Sequence, residues 1–181
     1  AKNGATPIPE SDRFGGWAGG PQLKATGFFR TEKVNGKWWL VDPEGRLFFS
    51  HGVDCVGIGN GTTGIGFREK YFSWTPAKDD PEFGGFWGKC TWPAAHNFYK
   101  DPAHLPYDTF SFANANLRRK YGAGWKAEYV DRAHRRLRAW GLNTIANWSW
   151  NEIYKLDRTP YTLCLGTHGT PRLKDSKRWW G

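Results

Sequence analysis

The chain has 181 residues and a formal net charge of +9, and 39% of its residues are hydrophobic. It is long enough for one domain with a substantial core, yet no apolar run approaches the roughly 18 residues of a membrane span, so we expect no membrane partner. Its lysines and arginines cluster mainly on one predicted helix and near the C-terminus, which favours a solvated surface over a nucleic-acid interface, so we expect no nucleic-acid partner.

Residues 1–25 are predicted to be an extended arm or linker. The segment is polar and rich in Gly and Pro, which disfavours regular structure and does not match a signal peptide. The chain contains no Met, even at position 1. This absence indicates a processed product or a piece of a longer chain.

Residues 26–46 are predicted to form an antiparallel β lead-in. Residues 26–32 are the expected first strand. Asn35-Gly36 follows as the strongest two-residue hairpin signal, because both central positions of a type I′ turn need a positive φ. Residues 42–45 supply a second turn, in which Pro43 presets φ and Gly45 closes the turn.

Residues 46–57 are mostly apolar, with polar residues that interrupt the run rather than alternate through it. This pattern is typical of a strand covered on both faces in a parallel sheet.

Three Cys are present, without metal-ligand spacing, and one disulfide plus a spare thiol is possible. Cys55 and Cys164 fall in predicted buried strands, where inert thiols are expected.

Residues 58–109 are predicted to be a long irregular loop that leaves the C-terminal end of this strand, where α/β folds build their active sites. Its Phe and Trp content argues against disorder. Residues 59–64 match the dinucleotide pattern G-x-G-x-x-G. No helix is predicted to follow, and the next parallel strand lies about eighty residues away rather than about thirty, so nucleotide binding is disfavoured.

Two helices are predicted next. The first begins at an N-cap, Asp108 or Thr109, and ends at Gly122, with Phe110, Ala113, Leu117 and Tyr121 on one face. The second covers residues 125–140 and ends at Gly141. Its predicted apolar stripe consists of Val130, Ala133, Leu137 and Trp140.

Residues 142–148 are predicted as a second parallel strand, residues 151–155 as a short helix, and residues 161–165 as a third strand. Three parallel strands cannot close a barrel, which needs eight strands and typically about 250 residues. The third strand also leaves an edge unpaired. The chain therefore forms either a small open sheet or, as we favour, part of a larger fold.

The run NGKWWLVDPEGRLFFSHGVDCVG, then RLRAWGLNTIANWS and TPYT, resembles the β-agarases of glycoside hydrolase family 50 over roughly residues 12–170. The resemblance implies an α/β fold: the first three βα units of a (β/α)8 TIM barrel within residues 47–181, preceded by the hairpin lead-in and incomplete on its own. It also implies a retaining hydrolase that cleaves β-1,4 galactosidic bonds of agarose or agaro-oligosaccharides.

Catalysis in this family uses two glutamates, on the fourth and seventh barrel strands. Because this sequence has neither strand, we assign no catalytic residue and expect the glutamates outside this chain. Asn151-Glu152 reproduces the Asn-Glu pair of the fourth strand, but here it follows the second strand. A Glu in the first turn of a helix is favoured by the helix dipole alone.

Ligand contacts are expected at the C-terminal ends of the strands. Twelve Trp are present, and an indole offers a flat face to a sugar ring. Tryptophans of the insertion either wall a groove or form the insertion's own core. The candidate substrate-binding residues are His51, Asp54, Asn147, Trp148, Trp150, His168, Trp74 and Trp87.

The expected partners are an agarose or galactan oligosaccharide and the remainder of the chain's own barrel, with no cofactor or metal. An enzyme of this kind is expected to be secreted or periplasmic. The alternative is a non-catalytic carbohydrate-binding module that uses the loop tryptophans. A basic nucleic-acid binder is a weaker third alternative.

Overall fold

The computed structural model describes residues 9–59, 61–93 and 97–165. The candidate His168 and the basic C-terminal segment lie outside the described residues. Within the described part, no helix is long and apolar enough to cross a membrane.

The lead-in forms a three-stranded antiparallel sheet of β1 (Arg30–Val34), β2 (Lys37–Val41) and β3 (Leu47–Phe48). Asn35 and Gly36 have φ of 49° and 79°, as the predicted turn requires. The first strand starts later than predicted. Gly27 has a φ of 81°, and its N–H donates to the carbonyl of Pro43, so the chain bends before β1 begins.

The predicted strand over residues 46–57 is instead divided between two sheets. Its first part is β3, and its second part is β4 (Gly52–Val53). Between them, the carbonyl of Phe49 and the N–H of His51 bind the side-chain amide of Asn143 rather than a neighbouring strand. Residues 52–55 are exposed, so the prediction of a strand covered on both faces is wrong for the described chain.

The insertion is more regular than predicted. β5 (Thr63–Gly64), β6 (Trp87–Cys90) and β7 (Tyr107–Phe110) form an antiparallel sheet in the order β5–β7–β6. Its 3-10 turns are Glu69–Tyr71, Gly84–Phe86, Asn97–Lys100 and Pro102–His104. The aromatic residues build a separate core, composed of Ile65, Phe110 and Ala115 with Phe72, Phe83, Phe86, Trp87 and Phe112 around them.

Helix α1 (Phe112–Tyr121) is capped by Ser111, whose hydroxyl accepts the N–H of Asn114. The predicted caps, Asp108 and Thr109, belong to β7 instead. This later start also changes the buried face, because Ala115 is buried whereas Ala113 is exposed. The predicted stop is confirmed by the φ of 64° at Gly122.

Helix α2 (Trp125–Ala139) buries Val130, Ala133 and Leu137 as predicted. Trp140 is 65% exposed, because it follows the last turn of the helix. The outer face carries arginines that pair with Glu128 and Asp131, which fits the predicted solvated surface. Gly141, with a φ of 74°, ends the helix.

The second parallel strand is β8 (Thr144–Ile145), which pairs in parallel with β4. Helix α3 (Asn151–Tyr154) follows, and Tyr161 then forms a parallel bridge with Ile145. Ile145 packs in one core with residues of both helices, among them Leu137 and Ile153. Three parallel segments therefore lie side by side in chain order, which is a mixed α/β arrangement.

Both outer segments are shorter than predicted. Residues 162–165 have no strand partner beyond the bridge at Tyr161, and they are exposed. The expectation of buried thiols at Cys55 and Cys164 is wrong, because both are free and exposed. Neither side chain is covered by another element of the described chain.

Candidate functional site

The carboxyl ends of the parallel segments meet at one edge of the sheet. Past β4, the N–H of Cys55 donates to the carbonyl of Asn147 at 2.9 Å, and the N–H of Ala146 donates to Val53 at 2.9 Å. The third segment joins them, since the Thr162 hydroxyl donates to Oδ1 of Asn147 at 3.1 Å. We call Asp54, Asn147, Trp148 and Thr162 the carboxyl edge.

The backbone at this edge is held in a rarely populated conformation. Cys55 and Trp148 have φ of 58° and 57°, in the left-handed region that costs a non-glycine residue about 1 kcal/mol or more. Three hydrogen bonds stabilise it: from Val56 N–H to the Ser149 hydroxyl, from that hydroxyl to Ala146, and from Trp150 N–H to Val56. Strained residues that neighbouring bonds stabilise are often found at ligand sites.

The side chains of the edge suit a hydroxylated ligand. The indole of Trp148 is 66% exposed and offers a face for stacking on a sugar ring. The oxygen of the Asn147 amide accepts from Thr162, whereas its nitrogen has no acceptor among the described residues and can donate to a ligand hydroxyl. Asp54 is exposed and is the one carboxylate among the four residues.

The edge alone does not contain the machinery for glycoside hydrolysis. That reaction uses two carboxyl groups, about 5 Å apart when the configuration is retained, and the carboxyl edge has only Asp54. Within the described ranges, no three His, Cys, Asp or Glu side chains group together as a metal site. These four residues therefore include no pair of carboxyl groups for that reaction.

His51 is not part of this edge. It precedes β4, where its N–H donates to Oδ1 of Asn143 at 2.8 Å and its carbonyl accepts the N–H of Asn143 at 2.8 Å. Asp54 lies three positions further along extended chain, a distance of about 10 Å. The structure therefore places His51 at the amino end of the strand and Asp54 at the carboxyl end.

The other candidate tryptophans pack against cores. Trp150 is half-buried against the core that α2 and α3 form. Trp87 donates its indole N–H to the carbonyl of Pro76 at 3.1 Å, and its ring lies 5.2 Å from Phe110. Trp74 contacts Phe110 edge to face, and the guanidinium of Arg119 lies 4.0 Å from its ring centre. Among the described residues, Trp74 and Trp87 contact the insertion and α1, not the carboxyl edge.

Two polar residues that organise the sheet, Thr162 and Asn143, were not among the candidates predicted from the sequence. Thr162 was overlooked at the edge, although it belongs to the TPYT segment that carries the resemblance. Asn143 was overlooked at the amino end. Its signal was an Asn at the start of a predicted apolar strand, where this residue type is depleted and needs a specific reason.

A cavity of about 780 Å³ lies at the opposite, amino end of the sheet. Pro160, in its lining, precedes the third segment and accepts the N–H of Ile145. Arginines and aromatic rings dominate the walls, which include Arg13, Phe14, Phe29, Arg135, Arg138, Arg158 and Tyr161. This cavity is thus separate from the carboxyl edge.

No protein-family model matches the chain. Among curated proteins, it is 35% identical to β-agarase B of Vibrio sp. (strain JT0107) in an alignment 201 positions long, which covers 96% of this chain and 20% of that protein. It is 26% identical to β-agarase A of the same organism in an alignment 155 positions long, which covers 81% of this chain and 14% of that protein. The chain thus spans at most about a fifth of these relatives.

Solved agarase structures match as well. PfGH50B matches with a TM-score of 0.73 and 34% identity, over 85% of this chain and 24% of that one. The agarase AgWH50C matches with a TM-score of 0.72 and 32% identity, over 86% of this chain and 24% of that one. An exo-β-agarase matches with a TM-score of 0.67 and 31% identity, over 87% of this chain and 26% of that one. The likeness covers most of this chain and about a quarter of each solved chain.

Proposed function

Since this chain is a homologue of a part of the family 50 β-agarases, we propose that it forms the N-terminal part of the (β/α)8 catalytic domain of a glycoside hydrolase that acts on agarose. The single observation that carries the proposal is the match to about a quarter of solved agarases at up to 34% identity. Three parallel segments in chain order, with α2 and α3 against one side, agree with the start of such a barrel.

The exposed surfaces support a partner formed by the rest of the barrel. In a closed barrel the first strand pairs with the last, which removes both edges of the sheet. In the described chain, β4 is paired on one side by β8, and Val53 is 40% exposed. At the other side of the sheet, Leu163 and Leu165 are 56% and 80% exposed.

The proposed reaction is retaining cleavage of β-1,4 galactosidic bonds in agarose or agaro-oligosaccharides. Two glutamates from the remainder would act as nucleophile and as acid then base. This chain would contribute part of the substrate groove through Asn147 and Trp148. A polymeric substrate of this kind also supports a secreted or periplasmic location.

The test compares agarose hydrolysis by this chain alone with hydrolysis by the same chain joined to its remainder. For the chain alone we expect no activity and no cooperative melting. For the joined protein we expect activity, and NMR should show that the first product has the β configuration. Native and denaturing mass measurements identify the second polypeptide where the two parts are separate. A joined protein that neither binds nor cuts agaro-oligosaccharides would contradict the proposal.

A non-catalytic carbohydrate-binding module is the second candidate. The observation in its favour is the combination of an exposed Trp148 with a single carboxylate at the carboxyl edge. This alternative predicts that the isolated chain melts cooperatively and binds agaro-oligosaccharides saturably. Cooperative melting together with saturable binding by the chain alone would establish it over the barrel proposal.

A further inference from the structure

The described part of the N-terminal arm, residues 9–20, is docked on the lead-in sheet. The N–H of Trp17 donates to the carbonyl of Leu47 at 2.8 Å, and a bridge between Ser11 and Trp17 folds the arm back on itself. Two aspartates meet where the arm and the sheet touch. Asp12 belongs to the arm, and Asp42 is a fully buried residue of the second lead-in turn.

Each aspartate stabilises its own loop through one oxygen. Oδ1 of Asp12 accepts the N–H groups of Phe14 and Gly16 at 2.9 and 2.8 Å. Oδ1 of Asp42 accepts those of Glu44 and Arg46 at 2.9 and 3.0 Å. Both carboxyl groups are therefore fixed in place by backbone donors, and their second oxygens cannot turn away to solvent.

The second oxygens form the unusual feature. Oδ2 of Asp12 and Oδ2 of Asp42 are both buried, and neither has a hydrogen-bond donor within the part of the chain that the structure describes. Both carboxyl groups lie against the same backbone position, Gly16. The N–H of Gly16 donates to Oδ1 of Asp12 at 2.8 Å, and a Cβ on Gly16 would lie 2.1 Å from Oδ2 of Asp42. Two buried acceptors without a donor are costly, whereas one proton between them gives a donor and an acceptor.

We propose that Asp12 and Asp42 bind one shared proton, and that this proton fastens the arm to the lead-in sheet. One Oδ2 carries the proton and donates it to the other Oδ2. When the pair loses the proton, two carboxylates face each other without solvent and repel. The arm then loosens from the sheet.

The surrounding charges do not replace the proton. Arg13 pairs with Glu44 at 2.7 Å, at an exposed position. Arg46 directs its Nη1 to the carbonyl of Gly20 at 3.2 Å. On the other packed elements, Arg138 of α2 donates to the carbonyl of Arg13, and the Glu10 carboxylate lies beside Gly19. None of these groups donates to either Oδ2 among the described residues.

A metal ion fits this site poorly. A Cβ on Gly16 would lie 2.1 Å from Oδ2 of Asp42, so the backbone closes directly over the carboxyl group. Calcium takes six to eight oxygen ligands, and this pair supplies two free ones. A proton needs no additional space and no further ligand.

The direction of the pH effect follows from the buried pair. Burial, then the hydrogen bond with Asp12, raise the pKa of Asp42 to about 6 from an ordinary 3.8. A carboxyl group whose pKa is raised in the folded protein stabilises the folded state through its bound proton. This stabilisation is complete below pH 3.8 and is lost as the pH rises through about 6. A shift of about two pKa units sets an upper limit of about a hundred-fold on the change in the docking equilibrium.

The arm also forms a wall of the cavity at the amino end of the sheet. Arg13 and Phe14, which directly follow Asp12, line this cavity of about 780 Å³. Phe14 contacts Phe29 edge to face, with ring centres 5.9 Å apart. Loss of the proton therefore removes this wall and opens the cavity.

Hydrogen exchange tests the proposal in the joined protein at a series of pH values, with rates corrected for intrinsic exchange. We expect the protection of amides 12–18 to fall up to about a hundred-fold between pH 4 and 7.5, while amides of the β1–β2 hairpin change little. The ¹³Cγ resonances of Asp12 and Asp42 should report the uptake of one proton by the pair. Protection of the arm that does not depend on pH would overturn the proposal.

Two single variants serve as matched tests. Asp42→Asn keeps Oδ1 for Glu44 and Arg46 and places an N–H donor against Asp12. Asp12→Asn keeps Oδ1 for Phe14 and Gly16 and places an N–H donor against Asp42. Both should keep the arm protected at pH 7.5 and remove the pH dependence. Arm protection that still falls with pH in both variants, or that millimolar calcium restores in the unmodified protein, would show that a shared proton is not what holds the arm.

Discussion

Asn143 and His51 bind each other through both backbone and side chain. Oδ1 of Asn143 accepts the N–H of His51 at 2.8 Å, and the backbone N–H of Asn143 donates to the carbonyl of His51 at 2.8 Å. The amide nitrogen of Asn143 also donates to the carbonyls of Gly15 and Phe49, at 3.1 and 2.9 Å. One buried amide thus joins the arm, the lead-in and the amino ends of both parallel strands.

Asn143→Ala should lower the free energy of unfolding by about 2–4 kcal/mol, because it leaves buried donors and acceptors without partners. Asn143→Asp keeps the acceptor for His51 but sets carboxylate oxygens against the carbonyls of Gly15 and Phe49. Its cost should therefore be larger at neutral than at acidic pH. Denaturant unfolding of the joined protein measures both effects. Asn116→Ala, at an exposed position of α1, is the control and should change stability by less than about 0.5 kcal/mol.

Gly52→Ala should disrupt the parallel sheet. A Cβ at Gly52 would lie 2.0 Å from the backbone carbonyl oxygen of Thr144, so the paired strands must separate. We expect a loss of at least about 2 kcal/mol in unfolding free energy. Gly85→Ala is the matched control, because its Cβ would meet nothing within 4 Å. Equal stability of the two variants would show that β4 and β8 do not pair as described.

His134 should make stability depend on pH in the direction opposite to Asp42. Its side chain is buried between Thr159 and Ile153, with ring-nitrogen distances of 2.9 and 3.2 Å. The Ile153 carbonyl can only accept, so Nε2 carries the hydrogen and Nδ1 accepts from Thr159. Burial lowers the pKa of His134 below 6.5.

A lowered pKa means that the neutral ring is the folded form. The contribution of His134 is therefore complete above pH 6.5 and is lost as the pH falls below it. Unfolding free energies of the joined protein, measured between pH 5 and 8, should show this loss when His134 is unmodified. His134→Gln, which keeps a donor for Ile153, should not show this loss of unfolding free energy at low pH. If the variant and the unmodified protein lost the same unfolding free energy between pH 8 and pH 5, this assignment would be contradicted.

Trp148→Ala should weaken the binding of agaro-oligosaccharides by about 3- to 10-fold, which corresponds to about 0.5–1.5 kcal/mol of stacking. Trp140→Ala is the matched control, because Trp140 is similarly exposed but follows α2 rather than the carboxyl edge. Titration calorimetry on the joined protein measures both. Equal losses for the two variants would remove the carboxyl edge from the substrate groove.

The candidate site was only partly predictable. That Asp54, Asn147 and Trp148 lie at one edge was predictable, because the carboxyl ends of adjacent parallel strands meet there; their contact with a ligand stays a prediction. His51 was placed wrongly because β4 starts after it, at Gly52. Trp74 and Trp87 could not be separated from core residues in advance, since a loop Trp and a packed Trp have the same local sequence pattern. The predicted role of His168 stays a prediction.

By itself, the sequence determined the features that depend on one or a few neighbouring residues. The turn at Asn35-Gly36 and the helix ends at Gly122 and Gly141 were predictable, because a positive φ is a local property of the backbone. The buried stripe of α2 was predictable from its helical period. Only the tertiary structure decided where β3 ends and β4 begins, because that break depends on Asn143, 92 residues beyond His51. The pairing of Asp12 with Asp42 has the same origin, since burial and repulsion exist only once the arm and the sheet are in contact.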